Sequence, residues 1–238
     1  MRKTFYFILA VFLCSPTLPH AGLFDNIMKG MGTSSKGESD DSTIVSGLKE
    51  ALSIGTEKAV NNVSQVDGYL GNQIIKILMP EKIQKVADVL RKVGYQKEVD
   101  DFVLSMNRAA EKAAPKATSF FVDAIKEITF EDTKGILNRG NTSATEFFKK
   151  KTHDKIYNAF KPIISSSMDE VGVTRSYKEM MGKYESIPFT SKESVDLDHY
   201  VTTKAMGGLF YMVGQEEKKI RTDPAARVTD LLKSVFGK

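Results

Sequence analysis

The sequence predicts an all-α fold: a single-domain bundle of about nine to ten helices, with a central buried helix near 197–222. Three observations carry this expectation. From Thr43 onward apolar residues recur at intervals of three and four, the spacing of one helix face. Proline and glycine stand between the periodic runs, where helices start and stop. No stretch alternates apolar and polar residues as a half-buried strand does.

Ile44, Leu48, Leu52, Gly55, Ala59 and Val63 step by three or four and predict a helix over 43–63. Turn-forming residues from Ser64 to Asn72 lead to a short helix over 73–78. Pro80 halts it and opens the next helix, because a first-turn N–H has no partner to lose. Ile83, Val86, Leu90 and Val93 form one side of that helix, and Gly94 ends it. Helices over 96–113 and 116–129 follow, divided by Pro115, and a short one over 130–138 precedes Gly140. Ser143-x-x-Glu146 has the spacing of a capping box, in which each side chain satisfies the other residue's free N–H. It opens a segment running to Gly172, expected to bend or break at Pro162. Helices over 175–185, 197–222 and 224–236 complete the chain, with Asp196 and Asp223 as caps of the last two.

In the 197–222 helix, Leu197, Val201, Ala205 and Leu209 line one side while Met206 and Phe210 project from another. A helix apolar nearly all round is buried on several sides. Gly207-Gly208 lets a neighbour approach closely, at ~1 kcal/mol per glycine relative to alanine. In the 96–113 helix, Leu104 lies on the polar side beside Arg108 and Glu111, so that side is expected to be partly covered.

The N-terminus reads as a signal peptide over 1–21. Arg2 and Lys3 precede the apolar run Phe5–Cys14, with cleavage expected after Ala21. That run is shorter than the roughly 20 residues a membrane-spanning helix needs. Lipoprotein anchoring through Cys14 is disfavoured, because Val11-Phe12-Leu13 lacks the small residue that such processing prefers. Residues 22–42, with Gly22, Gly30, Gly32, Gly37 and Asp40-Asp41, predict a flexible leader ahead of a helical domain over 43–238. The expected compartment is the periplasm.

Losing residues 1–21 removes Arg2 and Lys3 and no acid, so the formal charge falls from +4 to +2. Nucleic-acid binders concentrate positive charge. Only Lys149-Lys150-Lys151 does so here, and it reads as a solvated helix face, so no nucleic acid is expected. Cys14 is the only cysteine, so the processed chain has neither disulfides nor thiolate chemistry.

Asp67-Gly68-Tyr69-Leu70-Gly71-Asn72, Ser105-Met106-Asn107-Arg108-Ala109-Ala110-Glu111, and the run from Lys204-Ala205-Met206-Gly207-Gly208-Leu209-Phe210 through Glu216–Arg221 to Thr229-Asp230-Leu231-Leu232 stand in this order. In these runs the chain resembles the DUF4197 family of exported bacterial proteins, over about 45–237. The resemblance implies a helical exported protein and supplies no activity, ligand or catalytic residue. It would place an acidic residue at Gly207.

The candidate binding residues are Asn107, Arg108, Glu111, Glu216, Glu217, Arg221 and Arg227. Arg108 and Glu111 stand one helical turn apart and can pair. Asn107, at the edge of an apolar stripe, needs partners for its amide if buried. Glu216 or Glu217 can pair along its own helix with Lys219 and Arg221, or with Arg108 or Arg227 in a buried network. Asp67-Gly68-Tyr69 reads as a tight turn over a tucked aromatic. Asp196, Asp198 and His199 offer donors, but capping accounts for the acids and no metal site is expected. No cofactor is expected, and no serine or threonine stands in a nucleophile motif.

The leading functional expectation is a non-enzymatic periplasmic module that binds a partner envelope protein or an apolar small molecule. The apolar-ligand version rests on the adaptable thioethers of Met79, Met106, Met168, Met180, Met181, Met206 and Met212. The alternatives are an envelope enzyme using carboxylate or imidazole chemistry around Glu111, Glu216 or His153, and peripheral membrane contact through residues 22–31.

Overall fold

The computed structural model describes residues 40–137, 139–188 and 194–237. The stretch read as a signal peptide (1–21), Cys14, the 22–31 segment and nearly all of the expected leader lie outside them. The described residues form an all-α fold: α1 (Asp40–Val63), α2 (Gln84–Lys92), α3 (Gln96–Ala113), α4 (Thr118–Lys126), α5 (Phe130–Leu137), α6 (Ser143–Val171), α7 (Val173–Glu185), α8 (Leu197–Thr222) and α9 (Asp230–Phe236). Short 3₁₀ turns stand at Glu81–Ile83, Ala114–Ala117 and Pro224–Ala226. Among the described residues eight helices run eight residues or more and α9 has seven, slightly short of the nine to ten expected.

The central helix is α8, which packs most extensively against α6 and α1. Val201, Ala205, Met206, Leu209, Phe210, Val213 and Ile220 are buried on several of its sides. An exposed stripe remains along Thr203, Lys204, Gly207 and Tyr211. Phe210 meets Phe121 of α4 at 5.5 Å and Phe148 of α6 at 6.1 Å, tying three helices together through edge-on rings. Each such side chain contributes roughly 1.5–3 kcal/mol by leaving water. At the other end of the bundle, α9 packs on α1, with Leu232, Ala51 and Ile220 forming a smaller cluster.

Four local expectations fail, each for a tertiary reason. Residues 73–78 form a turn and an extended strap rather than a helix. Ile75, Ile77 and Met79 turn inward while Ile74 and Leu78 face water, a two-residue period. The break allowed for at Pro162 does not occur: α6 is one continuous helix through it, with the buried Ile156, Phe160 and Ile164 on either side. Packing there outweighs the ~3 kcal/mol that an interior proline costs. The capping box does not form: the α6 N-cap is Thr142 without a side-chain bond, and Ser143 Oγ donates instead to Ile136 O at 2.7 Å. Residues 224–236 split after the 3₁₀ turn, because Arg227 folds back onto the end of α8 and Thr229 starts α9 afresh by accepting from Leu232 N. Asp196 and Asp223 do accept cap hydrogen bonds, from His199 N and Ala225 N.

Candidate functional site

The strap over 73–79 is held from below by α3. Asn107, fully buried, accepts from Ile77 N at 2.9 Å and donates to Ile77 O at 2.8 Å, so its amide pairs with the strap as a neighbouring strand would. Its other N–H goes to Val103 O. Every donor and acceptor of this amide is used, as burial requires.

One turn further along α3, Glu111 is buried with both oxygens occupied. Oε1 accepts from Tyr69 N at 3.1 Å and Leu70 N at 3.3 Å, and Oε2 accepts from Arg108 Nη1 at 2.6 Å. Arg108 also donates to Asp67 Oδ1 at 2.7 Å. These bonds to Glu111 and Asp67 raise the Arg108 pKa above its ordinary value. Asp67 itself takes φ 66°, in the left-handed region that Asp tolerates better than most residues. A β-carbon on Gly68 would come within 2.5 Å of Val63 O, so this turn fits against the end of α1 only with glycine.

Tyr69 follows as a plug. It is fully buried, and its hydroxyl donates to Ala205 O of α8 at 2.7 Å. Burial, and then the Glu111 charge, push its pKa well above the ordinary tyrosine value. The three runs that carry the family resemblance therefore meet at one place: the 67–72 turn, the 105–111 turn of α3 and the 204–210 turns of α8.

Above these clamps lies an open groove of about 530 Å³ between the strap and the exposed stripe of α8. Ile74 and Leu78 border it at 68% and 60% exposure, and Tyr211 and Tyr200 close its far side. Tyr200 donates to Leu78 O at 2.9 Å, with Lys204 Nζ 5.6 Å above its ring. The charged lining residues are Lys76 and Lys204. Sequence reasoning missed this shelf because the 73–78 residues read as a helix. The signal was present in Ile74 to Met79, where only Lys76 interrupts the apolar side chains just ahead of a proline.

The other candidate residues lie elsewhere. Glu217 is some 12 residues along α8 from Ala205, ~18 Å at 1.5 Å per residue. It accepts from Ala144 N at 3.0 Å, Thr145 N at 2.8 Å and Thr145 Oγ1 at 2.6 Å, and so caps α6 from a different helix. Arg221 Nε donates at 2.8 Å to Glu217 Oε1, the oxygen that also accepts from Ala144 N. Glu216 pairs with Lys219. Arg227 donates to Ile220 O and Arg221 O, satisfying carbonyls that the end of α8 leaves open. Neither Glu216 nor Glu217 meets Arg108 or Arg227. The seven candidates thus divide between two stations, and the buried carboxylates Glu50, Glu111, Glu216 and Glu217 each have a partner within the chain.

The imidazoles come together on an open face. His153 lies 3.0 Å from the neighbouring Asp154, and the Tyr157 hydroxyl is 2.7 Å from His199 Nδ1. Neither histidine borders the shelf groove. Among the described residues no three His, Cys, Asp or Glu side chains gather as metal ligands would. Of the seven methionines singled out above, Met79, Met106, Met168, Met180, Met181 and Met206 are buried in the core.

Fold and site together define an all-α bundle in which buried polar groups hold a rigid surface strap. The chain belongs to the DUF4197 family, proteins of unknown function, whose pattern matches residues 38–237. No curated protein and no solved structure matches the chain.

Proposed function

We propose that this protein is an exported, non-enzymatic module of the cell envelope that binds a partner protein on the shelf of Ile74, Leu78 and Tyr211. One observation carries this reading: buried, fully bonded polar groups fix a strap whose apolar side chains stand in water. Leaving Ile74 and Leu78 exposed forgoes roughly 1.5–3 kcal/mol each, which a docked partner recovers. Contiguous exposed apolar surface on a folded domain marks an interaction site. Lys76 and Lys204 favour a partner that places an acid beside its apolar side chains. Asn107, Arg108 and Glu111 serve as positioning residues beneath the shelf, and the residues around Glu217 hold the bundle behind it. Export rests on Arg2, Lys3 and the apolar run that follows them.

The enzyme reading has less support, since His153 and His199 lie on an open face rather than in a cleft. A methionine-lined ligand chamber also has less support, since most of the methionines fill the core. Among the described residues no helix is long and apolar enough to cross a membrane.

The test places a photo-crosslinking residue at Ile74 or Leu78 in producing cells, with the exposed Lys85 as control. Both shelf positions are expected to give the same discrete adduct in the periplasmic fraction, and Lys85 none. Gly207→Leu fills the groove without disturbing the core, since a β-carbon at Gly207 meets nothing within 4 Å, and it should abolish the adduct. Equal labelling at Lys85, or an adduct indifferent to Gly207→Leu, rejects the shelf as the docking face.

A further inference from the structure

A second groove, of about 780 Å³, lies between the end of α5 and the first turns of α6 and shares no lining residue with the shelf. Its apolar surface comes from Phe147 and Ile136, and its charged lining is Arg139, Lys150, Lys151 and the single acid Glu146. Lys151 is engaged, with Nζ 3.4 Å from Asp132 and 5.2 Å from the centre of the Phe147 ring. Arg139 and Lys150 have no ion-pair partner among the described residues. Free cations beside an apolar wall match one ligand chemistry, an anionic head joined to a hydrocarbon chain. The volume is that of a small-molecule site, for which ~300–1,000 Å³ is usual. The helix end beside the groove does not supply the anion contact, because Glu217 already occupies the Ala144 and Thr145 N–H groups. Recognition of the head would fall to Arg139 and Lys150. The chain would lie along Phe147 and the methylene stems of the lysines, each buried CH₂ contributing about 0.8 kcal/mol.

We infer that this groove binds a free single-chain anionic amphiphile, one molecule per protein, with Arg139 and Lys150 on the head and Phe147 against the chain. The site is independent of the shelf.

The experiment is titration calorimetry of the intact processed protein with dodecyl phosphate below its micelle concentration. Dodecyltrimethylammonium and inorganic phosphate are the comparison ligands. Saturable one-to-one binding of dodecyl phosphate is expected, with no binding of the cationic amphiphile. The double charge reversal Arg139→Glu/Lys150→Glu should weaken it about tenfold or more. Both residues are exposed, so the fold should survive, and an unchanged circular dichroism spectrum checks this. Phe147→Ser should weaken dodecyl phosphate without affecting phosphate. Ile74→Asp, which disables the shelf, should leave the titration unaltered, so failure of one site is separable from failure of the other. Equal binding of the cationic amphiphile overturns the inference, as does indifference to the charge reversal. So does phosphate binding as tightly as dodecyl phosphate, which would make this a plain anion site. Binding to anionic lipid vesicles with none to dodecyl phosphate also overturns it, assigning the face to membrane contact instead.

Discussion

The ring of Tyr69 occupies the space beside Gly208, with Cε1 only 2.8 Å from where a β-carbon of residue 208 would stand. Ile75 Cβ is 3.0 Å from the same point, so the turn and the strap both close onto a bare stretch of α8. Gly207, one residue earlier, faces open space. Gly208→Ala should therefore cost ~1–3 kcal/mol through overpacking. Gly207→Ala should gain up to ~1 kcal/mol from helix propensity. Urea denaturation of the two variants checks this pair, and equal effects would mean that Tyr69 does not pack there.

Glu111 ties a turn to a helix by accepting two backbone N–H groups and one guanidinium. Glu111→Ala strips all three and should cost about 3–5 kcal/mol, as expected when one member of a buried pair is removed. Glu111→Gln keeps an oxygen for Tyr69 N and Leu70 N and should cost less. Hydrogen exchange distinguishes the contacts: the Tyr69 and Leu70 amides should lose protection in the alanine variant and largely keep it in the glutamine variant. Unchanged protection in both would remove Glu111 from its clamping role.

The start of α6 offers a direct comparison between a local and a remote cap. Glu217→Ala should cost about 3–5 kcal/mol, because it frees two helix N–H groups and leaves Arg221 unpaired in a buried site. Glu146→Ala, which a capping box would make expensive, should stay within ~0.5 kcal/mol, as for an ordinary surface change. Thermal unfolding of both variants reads the difference, and a costly Glu146→Ala would restore the local cap.

Glu50 is buried between α1 and α9, where Thr229 Oγ1 donates to it at 3.1 Å. Burial raises its pKa above 4.5, against the smaller opposing effect of the Thr229 hydrogen bond. The folded protein thus takes up this proton at a higher pH than the unfolded chain does. The group destabilises the fold when ionised at neutral pH, and stability returns as pH falls through the raised value towards 4.5. Glu50→Gln should raise Tm at pH 7, with the difference from the parent shrinking towards pH 4.5. A variant that is less stable at neutral pH would show that the charge has a partner worth more than its desolvation.

Helix type and extent were legible wherever periodicity and punctuation agreed. The bounds of α3 and α8 match the expected 96–113 and 197–222. The pairing of Arg108 with Glu111 followed from their spacing on one helix. Glu217 and Arg221 were equally legible as a local pair. That Glu217 also caps α6, more than seventy residues earlier in the chain, was not legible. The Ser143-x-x-Glu146 pattern satisfied the local rule, yet a buried carboxylate from a neighbouring helix took its place. The same holds for the strap: Ile74 to Leu78 suit a short helix by composition, and Asn107 binds the Ile77 backbone groups that a helix would have needed.

By itself, then, the sequence determined the all-α class, the order of the long helices and the burial of α8, because these depend on apolar spacing within one segment. Tertiary structure decided where the polar side chains of α3 and α8 spend their hydrogen bonds, and so which segment is held extended and which apolar residues face water. The physical reason is that a buried donor or acceptor must find a partner wherever folding brings one. That partner is a neighbour in space, and its distance along the chain leaves no periodic trace.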